Sequence, residues 1–238
     1  MKSFMCINPV LTSYLQFIQA YLVFFRKLLI FELSHSSFYP PYIKKEIIMS
    51  RTIIAGFLGA LVLFIWGFIS WAVLPWHNMT THSLTNEDAV ISVLKSANTE
   101  SGTYMIPGMG TTEVGKKTQM EKMKAGPNAW LHYSSVGMDE MDPMYFIKGF
   151  LLCFISATLA ASLLSKLSWS LASKYGARVR FVMMLGIFLA IAGRLSDWSF
   201  LGYSTSFSLN LAADDIIGWT LAGLVIAWRI KPLMAKTS

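Results

Sequence analysis

Charged residues are scarce in this chain. They make up 14% of its 238 residues, whereas hydrophobic residues make up 54%, and the mean hydropathy is +0.50. So little polar surface excludes an ordinary soluble globule, because the surplus apolar surface needs lipid to cover it. The composition therefore predicts a membrane protein.

Cysteines and catalytic motifs are also sparse. Cys6 and Cys153 are the two cysteines, both in or near apolar runs and without CxxC spacing, which excludes a disulfide scaffold and a zinc knuckle. The sequence has no HExxH, no glycine-rich phosphate loop and no Ser-His-Asp order with an elbow glycine. We therefore expect neither an enzyme nor a resident cofactor.

Four apolar runs are present, each about 20 residues long, which is the length that crosses a bilayer core as a helix. They cover residues 52–74, 145–164, 181 to about 198, and about 207 to 228. The first has no ionisable group and ends at Pro75, which cannot continue a helix cheaply. We expect a mainly α fold, a polytopic bundle of four transmembrane helices in contact with the lipid bilayer.

The net charge of +7 follows this topology. Residues 75–144, between the first two spans, carry more acidic than basic side chains, so we expect an extracytoplasmic insert. The link between spans two and three and the tail are basic and are expected in the cytoplasm of a bacterial inner membrane. Lys and Arg lie at span ends, so no nucleic-acid partner is expected. The basic residues are Lys166, Lys174, Arg178, Arg180, Arg229, Lys231 and Lys236.

Residues 1–48 form a separate segment. The apolar stretch SYLQFIQAYLVFF is interrupted by Arg26 and Lys27, and SHSSFYPPYIKKE reads as a linker. The codons possible for KKEII include a bacterial ribosome-binding sequence. We therefore interpret residues 1–48 as a non-native extension, or else a weak helix with a linker. Translation from Met49 would leave both termini in the cytoplasm, with residues 49–74 as the first span and 145–238 as the other three.

The insert has mixed patterning. Thr85 and Asp88 resemble a capping box before a helix in EDAVISVLKSA, and KKTQMEKMKAG is typical of a polar helix that stops at Gly126. GTYMIPG and AWLHYSSV each indicate a short strand. We expect a small α+β cap over the membrane surface.

Three ionisable residues fall inside the predicted spans. Arg194 lies about 20 Å into span three at 1.5 Å per residue, and Asp214 and Asp215 lie about seven residues into span four from the other side. Their depths nearly coincide. We favour a structural Arg–Asp pair that lets both helices carry charge; the alternative is a proton or ion relay.

Methionines and histidines of the insert are candidate metal ligands. Met138, Met141 and Met144 have the spacing M-x-x-M-x-x-M, and soft thioethers with the imidazoles of His77 or His82 suit Cu(I). Asp and Glu interleave with the methionines and no histidine lies among them, so we favour methionines that fill gaps in an irregular domain.

Small residues recur four positions apart in all four spans, which predicts close helix packing and possible homo- or hetero-oligomers through these faces. The pairs are Ala55 with Gly59, Ser156 with Ala160, Gly186 with Ala190, and Gly218 with Ala222.

Two segments of the sequence, together with the Met-rich link before span two, resemble a known family of membrane proteins. The segments are FIWGFISWAVLPWHN and GRLSDWSFLGYSTSFSLNLAADDIIGWTLAGL. From about Met49 onward the chain resembles a family of bacterial four-helix inner-membrane proteins, which implies location and architecture but no particular chemistry. We expect a structural or accessory membrane protein. The alternatives are an extracytoplasmic copper-handling protein and a small ion- or proton-coupled transporter.

Overall fold

The computed structural model describes residues 41–97, 100–137, 139, 142–167 and 169–231. The interpretation of residues 1–40, and the ligand positions Met138 and Met141, lie outside these described residues. The elements, in chain order, are α1 (Pro41–Phe68), π1 (Ile69–Val73), α2 (Glu87–Ser96), β1 (Gly102–Ile106), α3 (Glu113–Ala125), β2 (Ala129–Tyr133), α4 (Pro143–Ser165), α5 (Trp169–Ala172), α6 (Tyr175–Leu189), π2 (Ala190–Leu195), α7 (Ser196–Leu201) and α8 (Thr205–Arg229).

Within the part of the chain that the structure describes, four helical segments are long and apolar enough to span a membrane. They are Met49–Val73, Pro143–Ser165, Tyr175–Leu201 and Thr205–Arg229. The prediction of a mainly α, multi-pass membrane bundle with a small two-stranded insert is thus confirmed. We call the end of the bundle where residues 74–142 leave and re-enter the insert end.

The first helix begins before its membrane span. α1 begins at Pro41, so residues 41–46, the end of the predicted linker, are helical. Proline is compatible with the first turn of a helix, because an amide at that position would have no partner within the helix. The residues that follow, YIKKEII, contain no helix breaker, so the helix continues into the span.

The third span begins at Tyr175, six residues before the predicted start. The prediction placed the start after Arg180 because a charge inside a span is costly. Arg178 is nevertheless buried, and its guanidinium donates to the carbonyls of Ala172, Ser173 and Ala227 at 2.8–3.0 Å. These bonds satisfy the charged group and join the end of α5 to the end of α8 opposite the insert end.

Small residues let the spans approach closely. α1 packs against α4 and α8, and α6 packs against α8, around fully buried alanines such as Ala55, Ala157 and Ala222. A Cβ at Gly186 would lie 2.6 Å from Trp219 Cβ. Of the small residues predicted to form helix contacts, Ser156 is exposed and the others are buried in this interior. The small-residue faces are therefore largely used within the chain.

The insert contains one antiparallel strand pair, with Gly102 opposite Tyr133 and Ile106 opposite Ala129. No residue of α2 or α3, all of which are described, is buried. The predicted capping box is wrong: Asn86 is the N-cap residue of α2 and makes no side-chain cap bond, so Thr85 lies before the cap position. In α3, Thr112 accepts a hydrogen bond from the Gly115 amide.

Candidate functional site

Two adjacent carboxylates on α8 have different partners at the insert end. Arg194 Nε, in π2, donates to Asp215 Oδ2 at 2.8 Å. Asp214 Oδ1 instead accepts from the indole Nε1 of Trp66 at 2.6 Å, and its Oδ2 lies 3.8 Å from His77 Nε2. The structure therefore divides the predicted charged cluster into an Arg194–Asp215 ion pair and a second group around Asp214.

The Arg194–Asp215 pair is partly enclosed. The side chain of Asp215 is 15% exposed and that of Arg194 is 38% exposed. Arg194 lies in a π-helical turn, a feature found frequently at functional sites. A charge-assisted bond of this length satisfies both ions, so each helix carries its charge at reduced cost.

His77, in the second group, is buried with 2% exposure. Its Nε2 lies 2.8 Å from Ser70 Oγ, and its ring stacks on Trp71 with centroids 3.8 Å apart and planes 7° from parallel. Burial lowers the pKa of the His77 imidazole, and the nearby Asp214 carboxylate partly offsets that effect. The neutral ring is thus favoured at neutral pH.

Ser70 connects the histidine to a tryptophan. It lies in π1 and is completely buried. Trp76 Nε1 donates to Ser70 Oγ at 3.0 Å and to its carbonyl at 3.1 Å. Ser70 therefore stands between an indole donor and an imidazole nitrogen in one hydrogen-bonded chain.

The turn that carries His77 is tied to α8. Asn210 Nδ2 donates to the Trp76 carbonyl at 2.7 Å. The hydroxyls of Thr80 and Thr81 donate to the His77 carbonyl at 3.0 and 3.2 Å. Hydrogen bonds between polar groups thus connect π1, the turn and α8 at the insert end. We call Ser70, Trp76, His77, Asn210 and Asp214 the insert-end cluster.

Ser70, His77 and Asp214 do not form a catalytic triad. In a triad one imidazole nitrogen contacts the nucleophile and the other contacts the carboxylate. Here a single nitrogen, Nε2, faces both Ser70 and Asp214, and Nδ1 has no hydrogen-bond partner among the described residues. This geometry supplies no base that is both oriented by a carboxylate and directed at the hydroxyl.

The candidate metal ligands are placed differently from one another. His77 is buried with Nε2 against Ser70, whereas His82 is exposed and Met144 is about half exposed at the start of α4. Among the residues that the structure describes, no group of three or more His, Cys, Asp or Glu side chains could hold a metal ion.

Sequence reasoning did not find Ser70, Asn210 or the donor role of Trp66. Trp66, Trp71 and Trp76 recur near the end of the first span, a pattern typical of an interfacial aromatic belt, but the indoles of Trp66 and Trp76 donate to polar groups of the protein. The available signal was the polar Ser70 within an otherwise apolar run and the polar Asn210 one turn before Asp214. Neither residue indicates its partner: Ser70 contacts side chains six and seven positions away across a turn, and Asn210 contacts a residue 134 positions away.

The interior beyond the insert-end cluster is mostly apolar, although Thr52 and Arg178 are also buried there. The buried core towards the opposite end consists of alanine, valine, leucine and isoleucine, including Ala60, Leu164, Val182 and Ile226. No family model, curated protein or solved structure matches the chain. Its fold and this polar cluster define a multi-pass membrane protein with an elaborated insert end.

Proposed function

We propose that the chain is an accessory protein of a bacterial inner membrane, which uses its four-helix bundle to hold the insert at the extracytoplasmic surface for binding another membrane-bound protein. In this orientation the insert end faces outward. The basic residues at the opposite end, such as Lys166, Lys174 and Lys231, then face the cytoplasm, in agreement with the positive-inside rule.

The observation that carries this proposal is the exposure of apolar side chains on the insert helices. Val93 in α2 is 66% exposed, and Val114 in α3 is 78% exposed. On α2 the apolar residues share one face, opposite Ser92 and Lys95, because they recur at helical spacing. An amphipathic helix without a buried residue has an apolar face available for a partner, and such faces commonly mark interaction sites.

The apolar core favours an accessory role over transport. A proton or ion pathway needs polar groups at successive depths. The ion pair and the insert-end cluster lie together at one end, and the core beyond them is mainly alanine and branched aliphatic side chains. Arg178, buried at the opposite end, donates to three backbone carbonyls and faces no carboxylate in these bonds. The polar residues are therefore better suited to fixing the insert end than to conducting a solute.

Site-specific photo-crosslinking in native membranes tests the proposal. A crosslinker at Val93 lies on the apolar face of α2, and one at Lys95 lies on the polar face of the same helix as the matched control. We expect a defined adduct with another protein from position 93 and none from position 95. An adduct of twice the chain mass would instead show self-association, and equal or lipid-only labelling at both positions would contradict the proposal.

Flux measurement separates the accessory role from transport. We expect proteoliposomes containing the full chain to leak protons no faster than empty vesicles. Flux above background that Asp214→Asn or Asp215→Asn abolishes, in protein that still folds, would replace the accessory proposal with a transporter.

A further inference from the structure

We infer that the insert-end cluster is a proton-binding site, in which proton uptake by His77 exchanges its Ser70 contact for Asp214 and releases the turn of residues 75–81. The ligand is a single proton taken from the solution on the insert side. The inference concerns how the insert is held and does not depend on which partner the insert binds.

The hydrogen-bonded chain through Ser70 is complete when His77 is neutral. Trp76 Nε1 donates to Ser70 Oγ at 3.0 Å, so the serine hydroxyl can donate its own proton to His77 Nε2 at 2.8 Å. This arrangement requires an unprotonated Nε2. A proton that binds there makes the nitrogen a donor, and the serine hydroxyl then loses its acceptor.

The same proton creates a new partner for the ring. Asp214 Oδ2 lies 3.8 Å from Nε2, which is longer than a hydrogen bond. An imidazolium that pairs with Asp214 must therefore bring Nε2 closer to α8, which changes its contact with Ser70 and its stack on Trp71. Trp66 already donates to the other oxygen of Asp214, so the carboxylate is held in place for this pairing.

Movement of His77 disturbs the turn because its carbonyl accepts from Thr80 and Thr81, and the neighbouring Trp76 carbonyl accepts from Asn210. These three bonds fix the segment that leads from the first span into the insert. Proton binding at the ring is thus coupled to the attachment of the insert at α8.

Among the charged groups around His77, Asp214 is the one that can pair with the protonated ring. From α8 the facing carboxylate is Asp214, while the neighbouring Asp215 is paired with Arg194 of π2. Asp197 of α7 interacts with Arg194. From π1, Ser70 and Trp71 contribute no titratable group. Burial lowers the pKa of His77, so the site is empty at neutral pH and fills in acid.

Histidine NMR of the full chain in nanodiscs tests this site. The chain has four histidines, and His77→Gln identifies the signal of His77. We expect Asp214→Asn to move the His77 midpoint to lower pH, because it removes the carboxylate that favours the imidazolium. Ser70→Ala should move the midpoint to higher pH, because it removes the donor that favours the neutral ring. Asp197→Asn is the matched control and should leave the midpoint unchanged.

A spin label reports release of the turn. Met79 is 74% exposed in this turn, so a label on Met79→Cys does not disturb a buried contact. Cys6 and Cys153 are replaced by alanine, which keeps position 153 apolar against the core. We expect the label to become more mobile as His77 is protonated, and to show no such change in His77→Gln. A His77 midpoint insensitive to both Ser70→Ala and Asp214→Asn, or a label equally mobile before and after titration, would overturn the inference.

Discussion

Asp214 shows what a single carboxylate requires inside a helical bundle. An ionised group removed from water is tolerated when its oxygens accept hydrogen bonds. The side chain of Asp214 is 14% exposed, and its shortest bond, 2.6 Å, comes from the indole of Trp66. That indole also packs against Gly218, where an added Cβ would lie 2.8 Å from Trp66 Cδ1. One tryptophan thus joins α1 to α8 through both a polar and an apolar contact.

Trp66→Phe should destabilise the bundle by about 1–3 kcal/mol, because it keeps an aromatic ring but leaves the Asp214 oxygen without its donor. Trp198→Phe is the matched control. It removes a similar bond, from Nε1 to Thr205 Oγ1, at an exposed position. Thermal unfolding in detergent measures both variants. An equal loss of stability in the two variants would mean that the enclosed bond to Asp214 contributes no more than the exposed bond of Trp198.

At the scale of elements, α1 and α4 approach each other through a glycine. A Cβ at Gly56 would overlap Thr158 Oγ1 and lie 2.6 Å from Thr158 Cα, whereas a Cβ at Gly67 in the same helix would have no neighbour within 4 Å. Backbone cannot move aside as a flexible side chain can. The position of α4 against α1 therefore depends on the missing side chain at residue 56.

Gly56→Ala should lower stability by about 1–3 kcal/mol, since the added methyl group forces the two helices apart. Gly67→Ala should raise stability by about 0.5–1 kcal/mol, since alanine favours a helix over glycine. Thermal unfolding of both variants in one detergent gives the comparison. A Gly56→Ala protein as stable as Gly67→Ala would show that α1 and α4 do not need this close approach.

The spans were predictable from sequence because an apolar run of about 20 residues matches the length of helix that crosses a bilayer core. The start of the third span was not, since the burial of Arg178 depends on carbonyls from α5 and α8. The insert-end cluster was not predictable from sequence either. The sequence suggests His77 as a metal ligand and Asp214 or Asp215 as the partner of Arg194, but it does not indicate which of the two adjacent carboxylates faces which helix.

At the scale of the whole molecule, the bundle and the insert differ in how their side chains are used. The bundle buries mainly alanines and branched aliphatic side chains, and His77 is buried where the bundle meets the insert, while α2 and α3 bury nothing among their described residues. Stability that changes with pH therefore arises in part where the two regions meet, at His77.

Acid should destabilise the whole protein through His77. Burial lowers its pKa in the folded state below the ordinary value of 6.5, so near and below that pH the unfolded chain binds more protons than the folded chain. This contribution to stability is complete above pH 6.5 and decreases as the pH falls. We expect the melting temperature to decrease less between pH 7.5 and about 5.5 in His77→Gln than in the unmodified protein. Parallel decreases would exclude His77 as a source of the effect.

A π-helical turn changes the direction in which the following side chains of a helix point, and π2 shows the effect. Gly186 and Arg194 are eight residues apart, and in a continuous α-helix they would point about 80° away from each other. Gly186 faces Trp219 on α8, so a regular helix would turn Arg194 away from that neighbour. The wide turn at π2 reduces this rotation and returns the guanidinium to α8, where it meets Asp215. The pairing thus depends on the wide turn as well as on the identity of its residues. A regular α-helix with the same number of residues would turn the guanidinium away from Asp215, whereas loss of one residue from 190–193 would let a regular helix keep Arg194 within about 20° of the direction of Gly186.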